Sequence, residues 1–380
     1  MVKSRKKVGI LFSYSEGWTG GSYYFINLVH ALNKLKDDEK PHVIIVSESE
    51  AALDIIKQTG YPYLSYLNSK FKYNIFERVI NKFGKVLLSK QLIKKTFPTD
   101  AMDVLFGYYE QLFQFDNIRR IFWIPDLQDK HYPEYLGHDI AASRKIQHEM
   151  LAYSTSEVLF SSNDAKQDFE NFYPGLFCKT YIVQFAVTLP PYNNIPFNDV
   201  ALKFNITQPY YFSPNQFWSH KNHLAVIKAI ELLKQKGFNV TVIFTGNEQT
   251  GGGVYAKELK DYVIKANLQN NCLFLGFIDR NEQLVLMQNA KAVIQPSLFE
   301  GWSTVIEDAK CMGKYLIVSD LKVHHEQLDK NVSFFSPANF TELASILDGF
   351  MNTEVEVERE NYENNLVTFA NSFMAAVNHI

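Results

Sequence analysis

Residues 295–308 read Gln-Pro-Ser-Leu-Phe-Glu-Gly-Trp-Ser-Thr-Val-Ile-Glu-Asp, and the apolar run Ala292-Val293-Ile294 precedes them. Pro296 cannot donate to a sheet ladder, so a strand ends there and a small-residue turn leads into a helix-like segment. Glu300 then lies just past a strand end, with Glu307 and Asp308 in the first turns of the helix. In an open α/β sheet that is where the ligand crevice opens. Carboxylates so placed accept paired hydrogen bonds from vicinal hydroxyls, while the unpaired amides of a helix start face phosphate. A nucleotide-sugar offers both groups. The plainer alternative is a set of acids that stabilises a helix N-terminus.

Outward from this stretch, strand and helix signals alternate. Lys7–Phe12 reads as a buried strand, followed by a glycine turn and a periodic helix over Tyr23–Lys34. Short strands follow at His42–Val46, Val104–Phe106, Ile121–Ile124, Val158–Ser161 and Tyr181–Val183. The segment from Leu189 to Thr207 holds Pro190, Pro191 and Pro196, and a second series begins beyond it at Tyr210–Phe212, Val240–Phe244, Cys272–Leu275, Ala292–Ile294 and Tyr315–Val318. Strand, turn, helix repeated in this way predicts parallel sheets with right-handed crossovers. At 380 residues the chain exceeds one typical core. The reading is α/β, with two Rossmann-like domains at 1–190 and 208–355, a linker at 191–207 and a closing helix in 356–380.

Residues 292–320 resemble the donor-site signature of retaining glycosyltransferases of the GT-B fold, in the large family numbered 4. That signature has two acids separated by seven residues, then a small-residue helix, a glycine and a strand. Glu300 matches the first acid, and Cys311-Met312-Gly313 with Tyr315–Asp320 match the glycine and strand. Counting forward from Glu300 or back from Gly313 selects Asp308 as the second acid. Its arm is one methylene shorter than a glutamate, so Glu307, one position early, stays open as well. The resemblance implies two facing domains with a central cleft, Glu300 on the transferred sugar, and Asp308 or Glu307 on the nucleotide ribose. Ser297, Gly301, Trp302, Ser303 and Thr304 fall in the same donor pocket. The resemblance also brings the 356–380 helix back to the first domain.

Other stretches fit that frame. Pro214–His223 follows the first strand of the second half. A departing nucleoside diphosphate gains negative charge as the glycosidic bond breaks, and a fixed cation stabilises it without a metal. Lys221 matches the family lysine, whereas Asn215 or Gln216 stands where the family has arginine; either His220 or His223 would add positive charge, or the amide side chains would donate neutral hydrogen bonds. Isolated, Lys221 would read as a solvated residue after a strand. Gly20 and Gly21 follow the first strand and let backbone N–H groups approach phosphate, with Ser22 as a helix cap. Their spacing is not the dinucleotide fingerprint. Asp126 and His131 follow the strand Ile121–Ile124, where relatives carry a sugar-contacting His just before the Asp; here that position is Pro125. Both read either as substrate contacts or as surface residues. Gly246 ends a strand in a ligand-facing turn, and Phe277, after Gly276, would lie against the base by resemblance.

Composition excludes several classes. Net charge is −3, which gives no electrostatic footprint for nucleic acid. The three cysteines have no metal spacing and suit a reducing compartment. No apolar run reaches the ~18 residues of a membrane span. Residues 70–95 carry eight Lys or Arg against Glu77, a local charge of +7, with apolar residues near helical spacing. Such a segment lies on an anionic bilayer or packs as an ordinary amphipathic helix. The expectation is a cytoplasmic, metal-independent, retaining hexosyltransferase, at or near the inner membrane face, in surface-polysaccharide synthesis. Its donor would be GDP-mannose or a UDP-sugar, with mannose favoured by analogy, and its acceptor a glycan or polyprenyl-linked glycan. It would use no cofactor. A GT-B sugar-nucleotide 2-epimerase and a non-catalytic GT-B subunit remain the alternatives, since fold alone separates none of them.

Overall fold

The computed structural model describes residues 4–15, 19–70, 74–88, 92–93, 95–207, 209–249, 253–350, 356–358 and 361–379, with 84–88 as backbone. Of the glycine loop, Glu16, Gly17 and Trp18 lie outside the described residues, as does part of the basic segment 70–95.

Thirteen strands are described, all in parallel pairs. The first half contains β1 (Lys7–Leu11), β2 (His42–Ser47), β3 (Leu64–Asn68), β4 (Val104–Tyr108), β5 (Arg120–Ile124), β6 (Glu157–Phe160) and β7 (Lys179–Ile182). Their order is β3-β2-β1-β4-β5-β6-β7. The second half contains β8 (Tyr211–Pro214), β9 (Val242–Thr245), β10 (Cys272–Phe274), β11 (Val293–Gln295), β12 (Leu316–Ser319) and β13 (Val332–Phe335), in the order β10-β9-β8-β11-β12-β13. β1, β4, β8, β9 and β12 are buried almost end to end, because helices cover both faces of each sheet. In both orders the series reverses beside the first strand of the half, β1 and β8, which is the switch point where such sheets hold ligands.

The stretch expected as linker, 191–207, is instead folded into the second half. It forms a 3-10 turn at Tyr192–Asn194 and a helix at Phe197–Lys203. Tyr192 and Val200 pack into the second-half core with Tyr210, Leu284 and Val285. The prolines restrict the entry to these elements without freeing the chain. The helix Glu363–Asn378 buries Phe369, Phe373 and Val377 in the core of the first half. Arg119 fixes its end, donating to the carbonyls of Ala376 (3.0 Å), Val377 (2.5 Å) and His379 (2.8 Å) while paired with Glu157. A cation at a helix C-terminus satisfies the last carbonyls and complements the dipole.

Over residues 75–83, the helix Ile75–Leu88 does not pack as a core helix. Ile75, Phe76, Val79, Ile80 and Phe83 are all exposed, Phe76 by 76%. No helix among the described residues is long and apolar enough to cross a membrane.

Candidate active site

A cleft of about 460 Å³ opens between the halves, lined by residues that follow β1, β5 and β6 on one side and β8, β9, β10 and β11 on the other. Two helices point their N-termini into it. Thr19–Leu32 begins at the glycine loop, and Thr304–Met312 begins after Ser303, whose hydroxyl accepts from the Ile306 amide. A Cβ on Gly20 would stand 3.9 Å from the Thr304 hydroxyl, so the two starts nearly meet across the halves. Helix starts and positive dipole ends from both halves therefore converge on one volume, an arrangement that favours an anion. Ser22 lies within the first turn and does not cap it; its hydroxyl accepts from the Ser15 amide at 2.9 Å and ties the loop's entry.

Beside these helix starts, Lys221 Nζ lies 2.6 Å from Glu300 Oε1. The same oxygen accepts from Gln295 Nε2 at 2.7 Å and from the Ser297 hydroxyl at 2.6 Å. Burial acts to raise the Glu300 pKa, but Lys221 and the Ser297 hydroxyl outweigh it and hold the carboxyl below its ordinary range. Ser297 itself is fully buried and lies behind Glu300, outside the cleft lining. Its candidate role becomes that of a support for Glu300.

Gly301 explains why the motif needs glycine here. A Cβ at this position would stand 2.0 Å from the Pro125 carbonyl oxygen and 2.9 Å from Asp126 Cβ. The Glu300–Gly301 turn thus touches the first half directly. Trp302 reinforces the junction by donating its indole N–H to the Phe185 carbonyl at 3.0 Å. Asp126 lines the cleft, accepts from the Gln128 amide and faces Arg144 at 3.4 Å. His131 does not reach the cleft. It pairs with Asp168 at 2.5 Å and packs between Phe172 and Phe299, as the plainer surface reading has it.

The second half supplies the opposite wall. Asn215, Gln216, His220, Gly246 and Phe277 all line the cleft. Gly246 passes so close to the chain that a Cβ would meet the Asn215 carbonyl oxygen at 2.2 Å. Gln216 does not act simply as a substitute for arginine, because its amide oxygen accepts from the Asn247 N–H at 2.8 Å and pins that turn. The added positive charge expected from His220 or His223 is not present. Burial, with Lys221 nearby, pushes His220 down to about 3, and burial pushes His223 to about 3, so both are neutral. His220 instead meets Gln128 of the first half, Nδ1 to Nε2, at 3.1 Å.

Glu307 and Asp308 go to different places. Glu307 points away from the cleft, where it accepts from the Tyr362 hydroxyl (2.5 Å) and Gln327 Nε2 (2.9 Å) beside Lys310. Tyr362 also accepts from the Val187 amide, so Glu307 serves the crossing between the halves. Asp308 lines the cleft, but both its oxygens lie 2.7 Å from Nη2 of Arg280. Burial raises the Asp308 pKa and Arg280 opposes it. Sequence reasoning missed Arg280, Gln128 and Gln327. The signal available for Arg280 was its place at a helix start four residues after Gly276.

Residues 194–366 match the family described as Glycosyl transferases group 1, and this part of the chain is such a domain. The O-antigen chain mannosyltransferase RfbU of Salmonella typhimurium is 27% identical over 159 residues, 42% of this chain and 43% of that protein. The putative glycosyltransferase EpsF of Bacillus subtilis is 27% identical over 131 residues, 34% of this chain and 32% of that protein. These alignments span less than half the length of the curated relatives. Among solved structures, Anabaena Alr3699/HepE in complex with UDP-glucose superposes with a TM-score of 0.65 at 16% identity, covering 98% of this chain and 94% of that one. The two-sheet architecture is the GT-B fold.

Proposed function

We propose that this GT-B chain, with its glycosyl transferases group 1 domain, moves a hexosyl group from a nucleoside-diphosphate sugar to a glycan or polyprenyl-linked glycan, with retention and without a metal. The observation that carries the reading is the Lys221–Glu300 pair, which lines the same cleft as the two convergent helix N-termini. The helix amides and the Lys221 ammonium meet the diphosphate, whose charge grows as the sugar leaves. Glu300, held ionised by its neighbours, accepts from the sugar hydroxyls and orients the ring. The leaving phosphate takes the acceptor's proton on the same face. Asp126, from the first half, borders the acceptor side.

Mannose as the sugar and surface polysaccharide as the setting draw support from the similarity to RfbU. A UDP-sugar donor draws support from HepE, whose solved complex holds UDP-glucose. The outward apolar row Ile75, Phe76, Val79, Ile80 and Phe83, in a segment of net charge +7, supports docking on the inner face of an anionic membrane, where a lipid-linked acceptor resides.

The test is transfer from GDP-mannose, UDP-glucose and UDP-galactose to polyprenyl-diphosphate-linked glycans, with and without EDTA, scored by mass spectrometry and by the anomeric configuration of the product. Product from one donor, with the donor's configuration and an unchanged rate in EDTA, is expected. Glu300→Gln should abolish it while leaving the melting temperature in place. Full transfer by that variant sinks the assignment of Glu300, and turnover only with a divalent cation sinks metal independence. Co-flotation with anionic but not neutral vesicles, lost in Phe76→Glu, is the expected membrane result.

A further inference from the structure

The cleft is poorly supplied with positive charge for a ligand that carries two phosphates. Among the described residues lining it, Lys221 and Arg280 are the cations, while Asp126, Asp279, Glu300 and Asp308 are acids and His220 is neutral. Lys221 shares its charge with Glu300, and the amide oxygen of Gln216 is held by Asn247. Arg280 is therefore the second source of charged donors beside Lys221. Its place is well defined. Nη2 bonds both oxygens of Asp308, Nη1 donates to Gln283 at 3.3 Å, and the Tyr23 ring of the first half lies 5.2 Å from Cζ. Nε is buried without a hydrogen-bond partner. Asp308 is only 1% exposed behind it, whereas the Arg280 side chain is 22% exposed. At this point of the wall the ligand meets a guanidinium, not a carboxylate.

We propose that Arg280 is a ligand-binding residue of the donor site, presenting N–H donors to oxygen acceptors of the nucleoside diphosphate, and that Asp308 is a positioning residue that fixes Arg280 instead of holding the ribose itself. A guanidinium donates and never accepts, so the group it meets is a phosphate, ribose or base oxygen. Tyr23 roofs the guanidinium from the other half. This inference rests on the transferase reading above.

The experiment is calorimetric titration of UDP and GDP into wild type, Arg280→Met, Asp308→Asn and the double variant, with the donor KM and kcat of each. Charged hydrogen bonds lost from a cleft weaken binding by about 10- to 100-fold. That loss is expected in Arg280→Met, as a raised KM with kcat little changed. Asp308→Asn should weaken binding too, yet add less than about twofold in the Arg280→Met background, because it acts through Arg280. Arg280→Met leaves a buried carboxylate unpaired, but the double variant is neutral at both positions and keeps the test if the single variant fails to fold. Wild-type affinity in Arg280→Met or in the double variant would overturn the proposal, as would a further full loss from Asp308→Asn on top of Arg280→Met. Wild type that binds neither nucleotide would overturn the transferase reading, and this inference with it.

Discussion

Gly301→Ala tests whether the two halves must touch for the site to work. The added Cβ would stand 2.0 Å from the Pro125 carbonyl oxygen, where real Cβ atoms essentially never come within 3.0 Å. The Glu300–Gly301 turn and the Pro125–Asp126 loop must therefore separate by about 1 Å or more. These two elements belong to opposite halves, so the strain is relieved by parting the cleft, not by unfolding either core. Glu300 and Lys221 then withdraw together from Asp126 and the glycine loop. A misplacement of about 1 Å in a reacting geometry lowers turnover on the order of 100-fold. The expected result is a fall of that size in kcat/KM, with the melting temperature within about 2 °C of wild type. UDP or GDP affinity should change less, because most of the pocket wall comes from the second half. Turnover within about threefold of wild type would refute the reasoning, since the clash would then be absorbed without moving the site.

Three further outcomes are expected. Glu326, on the helix Lys322–Gln327, accepts from the Asn163 and Asp164 amides and from Gln184 Nε2 of the first half, so Glu326→Ala should enlarge the unliganded molecule in small-angle scattering; an unchanged scattering curve would argue against a latch. Arg119→Met removes the carbonyl cap of the last helix and strands Glu157, which should lower stability by about 2–3 kcal/mol in urea unfolding; a change under about 0.5 kcal/mol would show that the cap is dispensable. Acid should unfold the protein early. Burial lowers His220 and His223 to about 3 and His324 to about 4, so below pH 6.5 the unfolded chain binds protons that the folded one refuses, and stability falls as pH falls. Each such proton is worth about 1.4 kcal/mol per pH unit, and the raised Glu307 and Asp308 offset part of the loss. Unfolding midpoints that are flat or rising from pH 6.5 to 4.5 would contradict this.

The strands most legible in the sequence are the ones buried on both faces, because their apolar runs have no polar interruption to hide them. Val104–Tyr108 and Leu316–Ser319 are of this kind, although the half-buried edge strands β7 and β10 were legible too. β3 (Leu64–Asn68) and β13 (Val332–Phe335) escaped notice for the converse reason. Each is an edge strand, half-buried, with Ser65 or Ser333 breaking the run. The segment 191–207 misled because proline marks restricted φ and missing N–H groups, which a linker and a short packed helix share. Its apolar residues Tyr192, Val200 and Phe204 were the better guide, since a free linker has no use for them.

The site shows the same division more sharply. Spacing brought Glu300, Lys221, Gly20 and Thr304 into one cleft, because each lies at a strand end or helix start, and topology carries those ends to one place. Spacing cannot say which way an acid on a helix points. Glu307 and Asp308 are adjacent, about 100° apart around the helix axis, and one serves the crossing at Tyr362 while the other faces Arg280. Nor can spacing show what occupies an acid once it points inward. Asp308 fits the position of a ribose acceptor, yet a cation 28 residues upstream has taken both its oxygens. On the role proposed for Arg280, the departures at Gln216 and Asp308 are two sides of one arrangement. A site that lacks the arginine at its first wall has a guanidinium at its second, and an aspartate, one methylene shorter than glutamate, leaves room for it between the helix and the cleft.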